Sequence, residues 1–118
     1  MKVCPYIEAS FQIIGKKWNG QLIHYLSLCD NNTVHFSDIK RDLSGITSRA
    51  LSLKLTELVE NKLVEKVVKI GSPVIISYRL TEKGIALADS LKPIQDWARD
   101  YMDVNISMES EEKEFDEQ

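Results

Sequence analysis

The sequence contains only two cysteines, Cys4 and Cys29, which are too few for a disulfide framework. It has no run of about 20 apolar residues, the length that a membrane-spanning helix needs. Residues 1–8 also lack the continuous apolar stretch of a signal peptide. We therefore expect a cytoplasmic protein without membrane contact, in which both cysteines are free thiols.

Motifs of common enzymes and metal sites are missing as well. There is no Gly-rich phosphate loop, no Gly-x-Ser-x-Gly elbow and no Cys-x-x-Cys pair. His24 and His35 lie eleven residues apart and no tight pair of ligands stands beside them, so we expect no metal site. The sequence predicts a protein that is not an enzyme and that uses no cofactor.

The 118 residues, 43% hydrophobic and 28% charged, suit one globular domain with an uneven charge. Residues 103–118 contain seven acids and one lysine, which predicts a disordered acidic tail. Residues 1–102, the expected domain, carry a formal charge of +3, and the balance from Lys16 to Arg79 is +4. This surplus permits contact with DNA, and because it is modest we expect a dimer that doubles the contacts.

Hydrophobic spacing predicts two helices near the start of the chain. Ile7, Phe11 and Ile14 recur at spacings of four and three, which puts them on one face of a helix that begins near Pro5. A second apolar run predicts a helix over residues 18–27. The same kind of pattern then predicts a polar turn (29–33) and a short strand (34–36).

Residues 37–61 have the pattern of a helix-turn-helix. Ser37 is a favourable N-cap for a short helix, which ends at a tight turn around Gly45. Thr47 or Ser48 then caps a longer helix that runs to about residue 61. A short helix, a glycine-containing turn and a longer helix are typical of this DNA-binding motif.

Two β-prone segments follow, at residues 64–69 and 74–80, and the turn-forming residues 71–73 separate them. A hairpin directly after a helix-turn-helix is a wing. Thr81 is expected to cap the last helical region, which Pro93 should kink or break. The predicted fold class is mainly α with a small β-hairpin, an α+β winged helix-turn-helix.

The longer helix would turn Leu51, Leu55 and Leu58 toward the core and present its opposite face to solvent. That outward face mixes an arginine, hydroxyls and a leucine, groups that can contact guanine, phosphates and thymine methyl groups. We therefore predict base contacts from Thr47, Ser48, Arg49, Ser52 and Leu53. We predict phosphate contacts from Lys40, Arg41, Lys66, Lys69 and Arg79. The alternative is a plain amphipathic surface helix, against which the preceding turn and the following hairpin argue.

Three blocks of the sequence resemble the HxlR family of winged-helix repressors. They are CPYIEASFQIIGKKWNG, HFSDIKRDLSGITSRALSLKLTELVENKLVEK and SPVIISYRLTEKG, in order within residues 4–102. The shared features are a Cys-Pro start, Gly-Lys-Lys-Trp, Phe-Ser-Asp, Gly-Ile-Thr and Tyr-x-Leu-Thr-Glu-x-Gly. Within the family the chain is most similar to sensors of quinones and electrophiles, the YodB-like and QsrR-like repressors.

The resemblance implies a homodimer whose sensor is the N-terminal cysteine, which corresponds to Cys4. It places the dimer contacts in the first and last helices. Here those helices carry Ile7, Phe11, Ile14, Leu87, Leu91, Ile94, Trp97 and Tyr101. The family's recognition helix often has polar residues where this chain has Leu53 and Lys54, so the operator sequence does not carry over.

A physical argument supports Cys4 as the sensor. If Pro5 is the first helical residue, Cys4 is the N-cap, where backbone N–H groups and the helix dipole stabilise a thiolate. Cys29 lies at the opposite end of a helix, where the dipole disfavours an anion, so it is either a resolving thiol or a bystander. The alternative for both is a small, inert residue.

The sequence thus predicts a DNA-binding transcriptional repressor that leaves its operator when a quinone, another electrophile or an oxidant modifies Cys4. Alkylation of Cys4 and a disulfide between Cys4 and Cys29 of the other subunit are both open as the signal. Two other classes of protein compete with this interpretation. A winged-helix protein-interaction module is disfavoured by the basic, hydroxyl-bearing face, and a thiol-dependent redox enzyme by the lack of a second catalytic thiol close by.

Overall fold

The structure, a computed structural model, describes residues 1–105 as six α-helices and three β-strands. The helices are α1 (Pro5–Ile14), α2 (Asn19–Leu28), α3 (Phe36–Asp42), α4 (Ser48–Glu60), α5 (Glu82–Ser90) and α6 (Lys92–Tyr101). The strands are β1 (Thr33–His35), β2 (Val64–Lys69) and β3 (Ile75–Leu80), and a 3-10 turn (Asp30–Asn32) precedes β1. The predicted winged helix-turn-helix is confirmed, with α3 and α4 as the motif and β2 and β3 as the wing.

The predicted acidic tail lies almost entirely outside the described residues, which end at residue 105. Its disorder and the domain boundary at residue 102 therefore stay predictions.

The short strand before α3 joins the wing in one antiparallel sheet of order β1-β3-β2. The central strand is β3, in which Tyr78 pairs with Val34 of β1 and Leu80 pairs with Val64 of β2. The sheet is therefore larger than the expected two-stranded hairpin, because the segment predicted as a separate strand adds to the wing's inner edge. This pairing ties the wing to the start of the helix-turn-helix.

One hydrophobic core holds both helices of the motif against α2. The side chains that are at most 2% exposed include Leu22, Ile23, Leu26, Ile39, Ile46, Leu51, Leu55, Leu58, Leu63 and Val64. Burying a side chain of this size stabilises the fold by about 1.5–3 kcal/mol. The predicted inward face of α4 is confirmed, because its three core leucines are all fully buried.

Local capping explains where α4 and α5 begin. The Oγ1 of Thr47 accepts a hydrogen bond from the N–H of Ala50 at 3.1 Å, and Thr81 caps Gly84 in the same way at 3.1 Å. Both caps agree with the sequence prediction. The break at Pro93 is also confirmed, because α6 begins one residue before it and α5 ends earlier.

The start of α3 differs from the prediction. Ser37 is not its N-cap, because the helix begins two residues earlier than predicted, at Phe36, and His35 occupies the cap position with extended backbone. Phe36 packs half-buried against the core. Apolar packing therefore places the first turn of α3, and no side chain caps it.

Candidate DNA interface and sensor thiols

The N-terminal half of α4 presents the predicted base-contacting residues together. Thr47, Ser48, Arg49, Ser52 and Leu53 are all exposed. Leu53 keeps 60% of its surface accessible although it is apolar. Arg49 forms no ion pair with any residue of the described chain, so its guanidinium is available to a ligand. The placement suits insertion into a major groove, and the individual base contacts stay predictions.

The wing carries three predicted phosphate ligands, which differ in whether they form an ion pair within the chain. Lys66 and Lys69 are exposed and form no ion pair within residues 1–105. Arg79 instead donates from Nε to the Oε1 of Glu65 at 2.7 Å, across the strand pair in which these two residues face each other. The charge of Arg79 is therefore balanced within the wing, whereas the two lysines keep theirs for a partner.

The two predicted phosphate ligands on α3 are also engaged within the chain. The Nζ of Lys40 donates to the backbone oxygen of Ile46 at 2.6 Å and so ties α3 to the turn before α4. Arg41 pairs with Asp38 and Asp42, each at 3.0 Å. Exposed ion pairs of this kind add little stability because water and salt screen the charges, so Arg41 can exchange a carboxylate for a phosphate. Lys40, by contrast, has a structural role in the motif.

Cys4 lies at the start of α1, where the sequence placed it. It is the N-cap residue, with φ −60° and ψ 123°, and Pro5 follows in the first turn of the helix. The backbone oxygen of Cys4 accepts the first helical hydrogen bond, from the N–H of Glu8 at 3.1 Å. Its side chain makes no capping hydrogen bond and is exposed, so a reagent in solution can reach the sulfur.

Cys29 has a different environment at the C-terminal end of α2. It is half-buried, and its Sγ donates to the backbone oxygen of Tyr25 at 3.4 Å. Burial raises the pKa of the Cys29 thiol, the side-chain hydroxyl of Tyr25 opposes this, and nearby carboxylates raise the pKa further. Those carboxylates belong to Asp42, Asp30 and Asp38. Cys29 is therefore protonated at neutral pH, and a protonated thiol is a poor nucleophile.

A hydrogen bond that the sequence did not predict connects the Cys29 region to α3. The Oη of Tyr25 donates to the Oδ2 of Asp42 at 2.6 Å. Burial and this hydrogen bond raise the pKa of Tyr25, while Arg41 and Tyr25 together hold the pKa of Asp42 below its usual range. Tyr25 and Asp42 are 17 residues apart in the sequence, and no local pattern pairs them.

The residues predicted for the dimer interface fall into two groups. Ile7, Phe11, Ile94, Trp97 and Tyr101 each expose between 49% and 77% of their surface. Leu87 and Leu91 are half-buried against the core of their own chain, and Ile14 is also half-buried. The rings of Trp97 and Tyr101 lie with their centroids 6.2 Å apart on α6. The exposed members of the predicted interface therefore lie on α1 and α6.

Within residues 1–105, no helix is both long and apolar enough to cross a membrane. In the same residues, no three side chains of histidine, cysteine, aspartate or glutamate come together to hold a metal ion. An open groove lies between α2 and the pair α5 and α6, and it reaches Tyr25 and Cys29.

Comparison with known sequences points to one family. The sequence profile of HxlR-like helix-turn-helix proteins matches residues 13–106. The HTH-type transcriptional regulator YodB of Bacillus subtilis (strain 168) is 35% identical over 111 residues, which are 94% of this chain and 96% of YodB. The match therefore extends over nearly the whole length of both proteins.

Solved structures of such regulators have the same fold. Reduced YodB from B. subtilis gives a TM-score of 0.74 at 34% identity and covers 89% of this chain and 100% of its own. Quinone-bound YodB gives 0.70 at 35% identity, with 84% and 100% covered. The redox regulator HypR in its oxidised form gives 0.74 at 31% identity, with 86% and 100% covered. The chain belongs to the HxlR family of helix-turn-helix transcriptional regulators.

Proposed function

We propose that this protein is a homodimeric transcriptional repressor that leaves its operator when a quinone, another electrophile or an oxidant modifies Cys4. The single observation that carries the proposal is the contrast between its two thiols. Cys4 is exposed at the start of α1, whereas Cys29 is half-buried with a raised pKa. The quinone-bound form of YodB and the oxidised form of HypR support an effector of this chemical class.

The DNA-binding part of the proposal rests on exposure and charge. The first half of α4 offers Arg49 and its hydroxyl-bearing neighbours to the major groove, and Lys66 and Lys69 of the wing reach phosphates. Two copies would insert their α4 helices into major grooves separated by about 10 bp or a multiple of it.

The dimeric part rests on the exposed apolar surface of α1 and α6. Phe11 and Trp97 each keep 55% of their surface accessible, and Tyr101 keeps 77%. Covering such surface with a second copy yields about 25 cal/mol for each Å² removed from water. Since α1 also carries Cys4 at its start, a modification there lies at one end of the proposed dimer interface.

We expect release from DNA to follow from the group that is added to the Cys4 sulfur. The Cys4 thiolate adds to a ring carbon of the quinone. One ring oxygen takes a proton from solvent and the other takes the proton of the attacked carbon as the ring becomes aromatic again, which leaves a hydroquinone thioether. The added ring changes the packing at the interface, and a rigid-body rotation of the subunits then misplaces both α4 helices. With an oxidant such as diamide, Cys4 and the partner's Cys29 lose two electrons and two protons to form a disulfide, if their Cα atoms approach within about 7 Å.

The test compares wild type with Cys4→Ser and Cys29→Ser on an operator selected from random DNA by the reduced protein. We expect Cys4→Ser to bind normally and to stay bound after benzoquinone, with intact mass showing no adduct. Cys29→Ser should respond to benzoquinone but form no covalent dimer with diamide. If Cys4→Ser is released at wild-type doses, Cys4 is not the sensor. If reduced wild type shows no salt-dependent DNA affinity, the protein-interaction alternative is favoured.

A further inference from the structure

We propose that residues 15–18, here named the α1–α2 connection, position α4 for DNA binding and transmit the state of α1 to it. Lys16 and Trp18 are the two positioning residues. The inference rests on the proposed function, because the signal that it transmits is the modification of Cys4 at the start of α1. It assigns a role to the Gly-Lys-Lys-Trp segment, which the predicted DNA contacts do not use.

The first contact is an ion pair between the connection and the C-terminal part of α4. The Nζ of Lys16 donates to the Oε1 of Glu57 at 2.6 Å, and Lys54 approaches the Oε2 of the same carboxylate at 3.5 Å. The side chain of Glu57 is 25% exposed, and the bond from Lys16 holds the pKa of Glu57 below its usual range. The carboxylate therefore stays ionised and bound to the connection at neutral pH.

The second contact is made by Trp18 at the turn between α3 and α4. Trp18 has left-handed backbone, with φ 77°, and its ring packs half-buried against the core. A Cβ atom built at Gly45 would lie 3.3 Å from the Trp18 ring, so the ring rests directly over this glycine. The connection therefore contacts the helix-turn-helix both in α4 and in the turn before it.

The other end of the connection is fastened to α1 and α2. The N–H of Gly15 donates to the backbone oxygen of Phe11 at 2.9 Å, and the Nδ2 of Asn19 donates to that of Ile13 at 2.8 Å. Asn19 is only 1% exposed, so this bond is shielded from water. No residue of α1 is itself fully buried. A shift of α1 therefore disrupts little of the core, while its fastened end moves the connection and, through it, α4.

The alternative is that Lys16 is a phosphate ligand, and variants distinguish the two roles. The readout is the release ratio, defined as the Kd for operator after benzoquinone divided by the Kd before it. Lys16→Met and Glu57→Gln remove the same ion pair but change the net charge in opposite directions. We expect both to lower the release ratio, by roughly 2- to 30-fold. The charge swap Lys16→Glu with Glu57→Lys should restore it.

Lys17 provides the matched control, because it is exposed, adjacent and forms no ion pair within the described residues. Lys17→Met should leave the release ratio unchanged even if it weakens overall affinity. If Lys16→Met and Lys17→Met weaken DNA binding equally and neither changes the ratio, Lys16 is a phosphate ligand and the proposal is wrong.

A spectroscopic measurement tests the connection without DNA. The chain has two tryptophans, so 5-fluorotryptophan labelling gives two ¹⁹F resonances, which Trp97→Phe assigns. N-ethylmaleimide on Cys4, in a Cys29→Ser background, should shift the Trp18 resonance, and Lys16→Met should reduce that shift. An unmoved Trp18 resonance would overturn the proposal even if Cys4 controls DNA binding. A wild type that benzoquinone does not release would contradict the proposed function instead.

Discussion

Tyr25 and Asp42 form a 2.6 Å hydrogen bond that joins the last turn of α2 to the end of α3. Because Arg41 pairs with the same carboxylate, Asp42 is held ionised at the edge of the helix-turn-helix. Cys29 donates to the backbone oxygen of Tyr25, so this small network also includes the second thiol.

Removing the Tyr25 hydroxyl should destabilise the fold. Tyr25→Phe is expected to lower the free energy of unfolding by about 1–2 kcal/mol, because the hydrogen bond goes to a charged group at a partly exposed site. Since the folded pKa of Asp42 is depressed, its contribution is present above the ordinary carboxyl pKa of about 3.9 and is lost as the pH falls below that. Urea denaturation across pH 3–7 checks this, and a variant penalty that does not shrink at pH 3 would contradict it.

Arg49 should determine sequence preference more than affinity for DNA in general. Arg49→Ala is expected to cost about 1–3 kcal/mol on the selected operator and much less on random DNA. Lys69→Ala is the contrasting variant, because a lost phosphate contact weakens binding to both DNAs and reduces the salt slope by about 1. Fluorescence anisotropy at several salt concentrations measures both effects. Equal losses on both DNAs for Arg49→Ala would exclude a base contact.

Trp97 should stabilise the dimer through its exposed ring. Trp97→Glu is expected to give monomers with poor operator affinity, because it would bury an unpaired charge at the interface. Trp97→Phe, which keeps an apolar ring, should remain dimeric. Leu91 is a poorer probe than Trp97, because it packs on its own core and its replacement would perturb the monomer. Sedimentation velocity measures the oligomeric state of both variants. A dimeric Trp97→Glu protein would place the interface elsewhere.

Cys29 should react with alkylating agents only at alkaline pH. In Cys4→Ser protein, its rate with iodoacetamide is expected to rise with a midpoint above the ordinary thiol pKa of about 8.5, because burial disfavours the thiolate. Asp42→Asn should lower that midpoint, since it removes a negative charge that raises the pKa. A midpoint below pH 8 in the Cys4→Ser protein would show that burial does not raise the pKa of the Cys29 thiol.

Several features follow from residues that are close together in the chain. The threonine caps at Thr47 and Thr81, the inward leucines of α4 and the position of Cys4 before Pro5 were all predictable. The reason is physical, because helix periodicity and capping depend on side chains within about four positions. The resemblance to the HxlR family, confirmed by comparison, likewise depends on short ordered motifs.

Other features depend on which distant residues meet. Lys40 and Arg79 are bases in the sequence, but their partners, Ile46 and Glu65, give them internal roles that composition does not show. Strand β1 joins the sheet by pairing with β3, which lies far from it in the sequence. The ion pair between Lys16 and Glu57 also joins residues that are 41 positions apart, so no local pattern predicts it. Local side-chain patterns predict the helices, the wing and the order of the motifs, because each depends on residues that are close together in the chain. Which charges stay available to DNA, and which link one element to another, depends on long-range packing, because their partners lie far apart in the sequence.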